Sequence, residues 1–392
     1  MDYSPGLRGV VAGETAISTV GKEGTSLRYR GYDATELTSN NTYEEVASLI
    51  LTNTLEDKNF KKSFSKYYLE TTKDNKLNEL LAEIKEKLHP MDVVRTIVSY
   101  KGELTTLRKK SLDNEDKTEL SARITAIVCY IIASYHQEAC DELDKQYLVA
   151  SSLLPNGTSK EKLEALDDML ILYAEHGFNA STFATRVTAS TRADLTGAIV
   201  SGIATLKGEL HGGANERAVE LINSFETVTD AEKGIKSLLE QKTKIMGFGH
   251  GVYKIQDPRS PIVKNWVSRL VNSDESKNRF EIAQKIDQIM DEEKNLFPNV
   301  DFYGGLLLAE LGFEVDLFTP IFVAGRSVGW ASHYFEQREQ DILIRPAAKY
   351  TGPSERWFLN SNNLDVLITN YISNDIVEDD NHFYSSKLAI LD

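Results

Sequence analysis

The 392-residue sequence predicts an all-α protein with a few short strands near its N-terminus. Three observations lead there. Apolar residues recur at helical spacing over most of the chain, strand signal is scarce after residue 30, and no fixed-period repeat or low-complexity tract interrupts the pattern. A chain of this length exceeds the usual size of one hydrophobic core, so two domains, or one large domain with an insertion, are expected.

The N-terminal stretch Gly9–Asp33 mixes β-branched residues with glycine, and Val10–Val11, Ala16–Val20 and Ser26–Tyr29 read as short strands between turns. From Thr42 the reading becomes helical, with Thr42 and Glu45 forming a capping box ahead of Val46, Leu49 and Ile50. Lys58–Leu88 keeps helical spacing with charged faces; His89-Pro90 breaks it, and Met91–Tyr100 restarts a helix. Ala122–His136 is the most apolar segment and predicts a buried helix. A polar loop over Ser151–Lys160 precedes a helix running through Ala165–Glu175. Later helices are expected over Glu216–Ile222, Arg279–Phe297 and Phe318–Arg338.

A formal charge of -15 argues against general nucleic-acid binding. Two cysteines, Cys129 and Cys140, are too few for a disulfide framework and form no metal-ligand pair. The longest apolar runs, such as Ile124–Ala133, are too short to span a bilayer, and no signal peptide is visible. A soluble cytoplasmic protein is expected.

Candidate chemistry gathers where histidine meets glycine. Ile245–Arg259 (IMGFGHGVYKIQDPR) holds Gly247, Gly249 and Gly251 around His250, with Lys254 and Arg259 following. Alternating glycines make a poor helix or strand but let main-chain N–H groups approach an anion closely. A mobile surface turn is the plain alternative. In Glu175–Arg186 (EHGFNASTFATR), His176 precedes Gly177 at a helix end, whose partial negative charge favours the protonated ring. Read alone, it is better taken as a cap of that helix. In Leu206–Asn215 (LKGELHGGAN), His211 stands before two glycines and a helix N-terminus, which biases it toward neutral imidazole. A neutral imidazole can donate a hydrogen bond to a carbonyl oxygen as charge develops there. These histidines lack zinc-site spacing, so no metal is expected.

Asp301, in the apolar setting FPNVDFYGG, reads either as a helix cap or as a general base in a partly desolvated pocket. Arg326 lies among small residues, which points to burial and an anionic partner; a core carboxylate or a ligand would serve. Arg345 precedes Pro346 and so projects from an extended arm.

Taken together, these segments resemble the citrate synthase family over nearly the whole chain. The resemblance is carried by LRYRGYD, AEHGFNAST, LKGELHGGANE, IMGFGHGVYKIQDPR, FPNVDFY, LFTPIFVAGRSVGWASHYFEQ and IRPAAKYTGP, in that order. It implies a citrate-synthase-like multi-helical homodimer. Each subunit would have a large domain (residues 1–212 and 318–392) and a small domain (213–317) that closes over the substrates. The implied reaction condenses acetyl-CoA with oxaloacetate and then hydrolyses the product to citrate and CoA, with no cofactor. By motif position, Asp301 would take the methyl proton, His211 would donate to the thioester oxygen, and His250 would polarise the oxaloacetate ketone. His176, Arg259 and Arg326 would hold oxaloacetate, and Arg345 would reach into the partner subunit's site. Gly247, Gly249, Lys254 and Lys294 would face CoA. Two departures stand out: Gly251 where many compact members carry arginine, and Glu209 where proline is common. Two further readings are a 2-methylcitrate synthase using propionyl-CoA and a catalytically silent paralogue that binds CoA or a protein partner. A remoter one is an enzyme that cleaves citryl-CoA.

Overall fold

The computed structural model describes residues 4–7, 9–21, 26–101, 113–136, 143–354 and 356. Two units are distinguished, Val11–Ile344 and a second formed by Met1–Val10 with Arg345–Asp392. In the second, the described residues comprise a 3-10 turn at Pro5–Leu7, whose Gly6 is left-handed at φ 65°, and an irregular run from Arg345 to Ser354.

The larger unit begins with a three-stranded antiparallel meander: β1 (Ser18–Val20), β2 (Leu27–Tyr29) and β3 (Tyr32–Asp33). Arg30 and Gly31, both at positive φ, make the two-residue turn between β2 and β3, the geometry that matches strand twist. Val10–Val11, expected as strand, has no strand partner. Asp33 caps α1 (Ala34–Asn40) by accepting from the Thr35 N–H at 2.9 Å. The predicted capping box opens α2 (Tyr43–Thr52), with Glu45 reaching back to the Thr42 N–H at 3.0 Å.

The expected helix over Lys58–Leu88 is two helices, α3 (Asn59–Thr72) and α4 (Asn75–Ile84). Asp74 breaks it by capping α4 through the Leu77 N–H, a local bond that competes with helix continuation. Then follow α5 (Pro90–Tyr100), α6 (Asn114–His136), α7 (Leu148–Leu153) and α8 (Lys160–Tyr173). Because α7 is buried and helical, the loop expected over Ser151–Lys160 begins only at Leu154. Cys129 is buried on α6; Cys140 lies outside the described residues. The remainder is α9 (Ala180–Ser190), α10 (Leu195–Leu206), α11 (Ala214–Asn223), α12 (Val228–Glu240), α13 (Ser260–Leu270), α14 (Asp274–Lys294), α15 (Val300–Glu310) and α16 (Phe318–Gln340). The helical expectation thus holds throughout, with strands confined to the N-terminal end among the described residues.

Helix α16 is the shaft of the core. It is buried on all sides from Phe318 to Phe335, and α2, α5, α6, α8, α9 and α10 pack around it. The polar side chains within that stretch, among them Arg326, Ser327 and His333, are buried with hydrogen-bond partners. Glycines let α8 come close: a Cβ on Gly329 would stand 2.2 Å from the Ala174 carbonyl oxygen, and one on Gly325 3.0 Å from the Tyr173 Cβ. Helices α11 to α15 pack chiefly on one another, α11 and α13 against α15 and α12 against α14. No helix among the described residues is long and apolar enough to cross a membrane.

Candidate active site

The site forms where the end of α8, the starts of α11 and α15, and the middle of α16 meet the segment Gly247–Arg259. Gly247 and Gly249 give this segment its shape, at φ 86° and 69°. The segment is tied to the start of α15: Phe248 bridges to Pro298, the Asn299 N–H donates to the Gly247 carbonyl at 2.9 Å, and the Gly249 N–H donates to the Phe297 carbonyl at 2.8 Å. Gly251 is exposed, and a Cβ there would touch nothing, so no steric demand keeps glycine at this position.

Each predicted histidine has a defined setting. His250 Nδ1 accepts from the N–H groups of Val252 at 3.0 Å and Tyr253 at 3.1 Å, which places the proton of the neutral ring on Nε2. Burial, reinforced by the charge of Arg259, pushes its pKa down to about 4. His211 Nε2 accepts from the Ser181 N–H at 3.3 Å and lies 2.8 Å from the Ser181 hydroxyl, leaving the ring proton on Nδ1. Its pKa is also pushed down to about 4, by burial and by Arg326. The neutral form expected for His211 is therefore found, though burial and Arg326 dominate rather than the helix end.

His176 reverses its expectation. It lies just beyond α8 beside the left-handed Gly177, yet it is held well below the usual histidine range rather than protonated. Burial is the main cause, with Arg259, the neighbouring His250 and Arg326 adding to it. These local terms outweigh a helix-end dipole worth at most about 2 kcal/mol. The His176 and His250 rings lie 5.0 Å apart, edge to face, and His176 Nε2 is 3.0 Å from the Tyr253 hydroxyl.

Two of the buried arginines belong to the site, Arg326 at 1% exposure and Arg259 at 4%. Arg259 is gripped by Asp257, Nε to Oδ1 at 3.0 Å and Nη2 to Oδ2 at 2.8 Å. Asp257 also accepts from the Val300 N–H at 3.0 Å, which fixes the arginine relative to α15. Arg326 has no carboxylate partner among the described residues; its Nε donates to the Tyr173 carbonyl at the end of α8. The Tyr29 hydroxyl serves the neighbouring carbonyls of Ile171 at 3.0 Å and Glu175 at 3.1 Å.

Asp301 is the second residue of α15, and the cap is Asn299, whose side chain accepts from the Asp301 N–H at 3.0 Å. The capping alternative for Asp301 is thus overturned, and its carboxylate is left available. Its Oδ1 is shielded from solvent and has no hydrogen-bond partner among the described residues. Burial raises its pKa to about 6 against the pull of Arg259 and Arg326. That range suits a general base working near neutrality.

Lys254 and Lys294 are exposed; Lys254 Nζ reaches the Gly251 carbonyl at 3.2 Å, and Lys294 ends α14. Arg345 is exposed in the other unit. Sequence reading missed Asp257, Tyr253 and Ser181. Only Asp257 carried a signal, as the carboxylate two residues before the buried Arg259. Among the described residues, no three His, Cys, Asp or Glu side chains are grouped to hold a metal.

Two neutral imidazoles, a carboxylate of raised pKa and two buried guanidiniums are groups suited to acid–base catalysis. Comparison with known proteins agrees. Residues 6–347 match the family model described as citrate synthase, C-terminal domain. The 2-methylcitrate synthase of Shewanella oneidensis is 40% identical, over 90% of this chain and 95% of that protein. Citrate synthase 2 of Bacillus subtilis is 36% identical, over 92% and 98%. The citrate synthase of the archaeon Thermoplasma acidophilum, solved as a ternary complex with carboxymethyl coenzyme A and oxaloacetate, superposes with a TM-score of 0.82 at 26% identity, covering 92% of this chain and 99% of that one. The chain belongs to the citrate synthase family, and it is a transferase.

Proposed function

We propose that the protein condenses an acyl-CoA thioester with oxaloacetate and hydrolyses the product, giving citrate from acetyl-CoA or 2-methylcitrate from propionyl-CoA. The observation that carries this reading is that Asp301, His211 and His250, in usable protonation states, all lie within reach of the charges of the buried Arg259 and Arg326. Asp301 takes a proton from the carbon beside the thioester carbonyl while His211 Nδ1–H hydrogen-bonds the carbonyl oxygen. The enolate carbon attacks the oxaloacetate ketone, whose oxygen His250 Nε2–H polarises. Water then adds to the thioester of the new product, the carbon–sulfur bond breaks, and CoA leaves as the thiol. His176, Arg259 and Arg326 hold the oxaloacetate carboxylates. A neutral imidazole suits the enolate because it stabilises charge in the transition state without a fixed cation that would hold Asp301 in ionic contact beforehand.

CoA lies against the Gly247–Gly249 main chain, Lys254 and Lys294, and no cofactor takes part. The working unit is a cytoplasmic homodimer in which Arg345 enters the partner's site, and residues 213–317 close over the substrates as a small domain. Citrate formation would serve the tricarboxylic acid cycle. A silent paralogue is disfavoured because every group the chemistry needs is present.

One methylene in an apolar pocket discriminates by only about 1–3 kcal/mol, so use of both donors is expected. The test is thiol release from acetyl-CoA and from propionyl-CoA, each with and without oxaloacetate, compared as kcat/KM. Oxaloacetate-dependent release supports the reading, and the ratio ranks the donors. A folded protein that releases thiol with neither donor sinks it.

A further inference from the structure

Three buried polar atoms around the proposed base have no hydrogen-bond partner among the described residues: Asp301 Oδ1, the Tyr173 hydroxyl and Asn215 Nδ2. Tyr173 and Asn215 are both fully buried. They come from three helices that glycines bring together. Tyr173 ends α8, Asn215 is the second residue of α11, and Asp301 is the second of α15. A Cβ on Gly304 would lie 3.2 Å from the Tyr173 hydroxyl, and one on Gly305 would lie 2.5 Å from the Asn215 carbonyl oxygen. Residues 301, 304 and 305 share one face of α15, so Asp301 stands one turn from both contacts.

The two donors are also held in place. The Tyr173 ring stacks on Phe322 with centroids 4.0 Å apart. Asn215 Oδ1 accepts from the Glu216 N–H at 2.7 Å, which turns Nδ2 away from the backbone. The charge of Asp301 acts on the phenol, and the Asn215 amide approaches it as a weak donor without reaching ordinary hydrogen-bond geometry.

Leaving a buried polar group unmade costs about 1–3 kcal/mol, so three orphans around one helix turn call for a common partner. A buried water typically makes about three hydrogen bonds, which matches the set. We propose that Asn215 and Tyr173 are positioning residues for Asp301. Their N–H and O–H groups donate to one ordered water, which donates in turn to Asp301 Oδ1. The shielded oxygen is thereby solvated and fixed, and the other oxygen is aimed at the acyl carbon. The inference rests on Asp301 being the base, as proposed above.

Donors to a carboxylate favour its ionised form, so their removal must raise the pKa of Asp301 and move the acid limb of activity upward. The experiment is the pH profile of kcat/KM for the acyl-CoA donor in the wild type, Tyr173→Phe and Asn215→Leu. Tyr173→Phe keeps the stacking on Phe322, and Asn215→Ser is a smaller polar control in case Asn215→Leu does not fold. The expected result is an acid limb shifted up by about one pH unit in Tyr173→Phe and Asn215→Leu, with less shift in Asn215→Ser and an unchanged KM for oxaloacetate. An unshifted limb in Tyr173→Phe, or a loss seen only as a raised oxaloacetate KM, overturns the proposal while leaving the enzyme reading intact. Absence of oxaloacetate-dependent turnover in the wild type overturns both.

Discussion

Replacing Asp257 by asparagine is the most demanding test of how the site is built. Asp257 is fully buried and accepts four hydrogen bonds: from Arg259 N at 3.1 Å, Nε at 3.0 Å and Nη2 at 2.8 Å, and from the Val300 N–H at 3.0 Å. Asparagine keeps the shape but can accept only one of the two main-chain bonds, because the Arg259 N–H meets Oδ1 and the Val300 N–H meets Oδ2; its NH2 then opposes the other N–H and part of the guanidinium, and the charge is lost. Breaking a buried ion pair costs about 3–5 kcal/mol, and the donors left facing the amide nitrogen place Asp257→Asn within that range. The assay is urea unfolding at pH 7, read as a lower midpoint at constant slope. The pH dependence gives a second check. Burial acts to raise the Asp257 pKa, but Arg259's charge and hydrogen bonds outweigh it and hold it below the carboxylate range. Its stabilisation is therefore complete above the unfolded value of about 4 and fades only as pH falls through the lower, folded one. The gap between wild type and variant should accordingly close only in acid. A loosened Arg259 should also raise the oxaloacetate KM about tenfold, equivalent to about 1.4 kcal/mol of binding. Stability within about 0.5 kcal/mol of wild type, the range of an ordinary surface change, would refute this account of the pair.

Other outcomes can be stated as firmly. Asp301→Asn should lower kcat by at least about 100-fold, the usual contribution of a positioned general base; near-normal turnover removes Asp301 from that role. With Asp301 at about 6 and His211 and His250 at about 4, kcat/KM should fall as pH drops through about 6, because the base gains its proton while both histidines stay neutral. A limb near 4 would contradict the raised pKa. Gly305→Ala should cost about 1–3 kcal/mol by overpacking, since its Cβ would stand 2.5 Å from the Asn215 carbonyl. If Arg345 completes the partner's site, mixing inactive Arg345→Ala and Asp301→Asn chains should restore about a quarter of wild-type activity through heterodimers. No recovery after verified subunit exchange would place Arg345 in its own subunit's site or outside the chemistry.

The helical architecture was legible because apolar spacing and caps are local. The Thr42–Glu45 box and the start of α5 at Pro90 needed nothing beyond their own segments. The break at Asp74 and the short α7 were harder, since one polar side chain or burial on all faces leaves little periodic trace. The candidate site was legible residue by residue, because glycines beside histidine and a carboxylate in an apolar run are unusual company. Its assembly was not. His176, His250 and Arg326 come from distant segments, and the neutral state of His176 is set by burial and by arginines that only the fold brings near. Ser181 and Tyr253 gave no warning, for their importance lies wholly in which ring nitrogen they meet.

The seating of Arg326 on the end of α8 has a further consequence. A helix terminus carries roughly half a negative charge, spread over carbonyls that can neither dissociate nor take up a proton in the accessible range. The direct hydrogen-bond partner of this guanidinium is therefore a peptide carbonyl, with the Glu175 carboxylate acting from farther off, whereas Arg259 leans directly on a titratable aspartate. No side-chain carboxylate has to be displaced before an incoming dianion is met. The Tyr173 contact of Arg326 should thus persist at a pH low enough to protonate Asp257 and loosen Arg259.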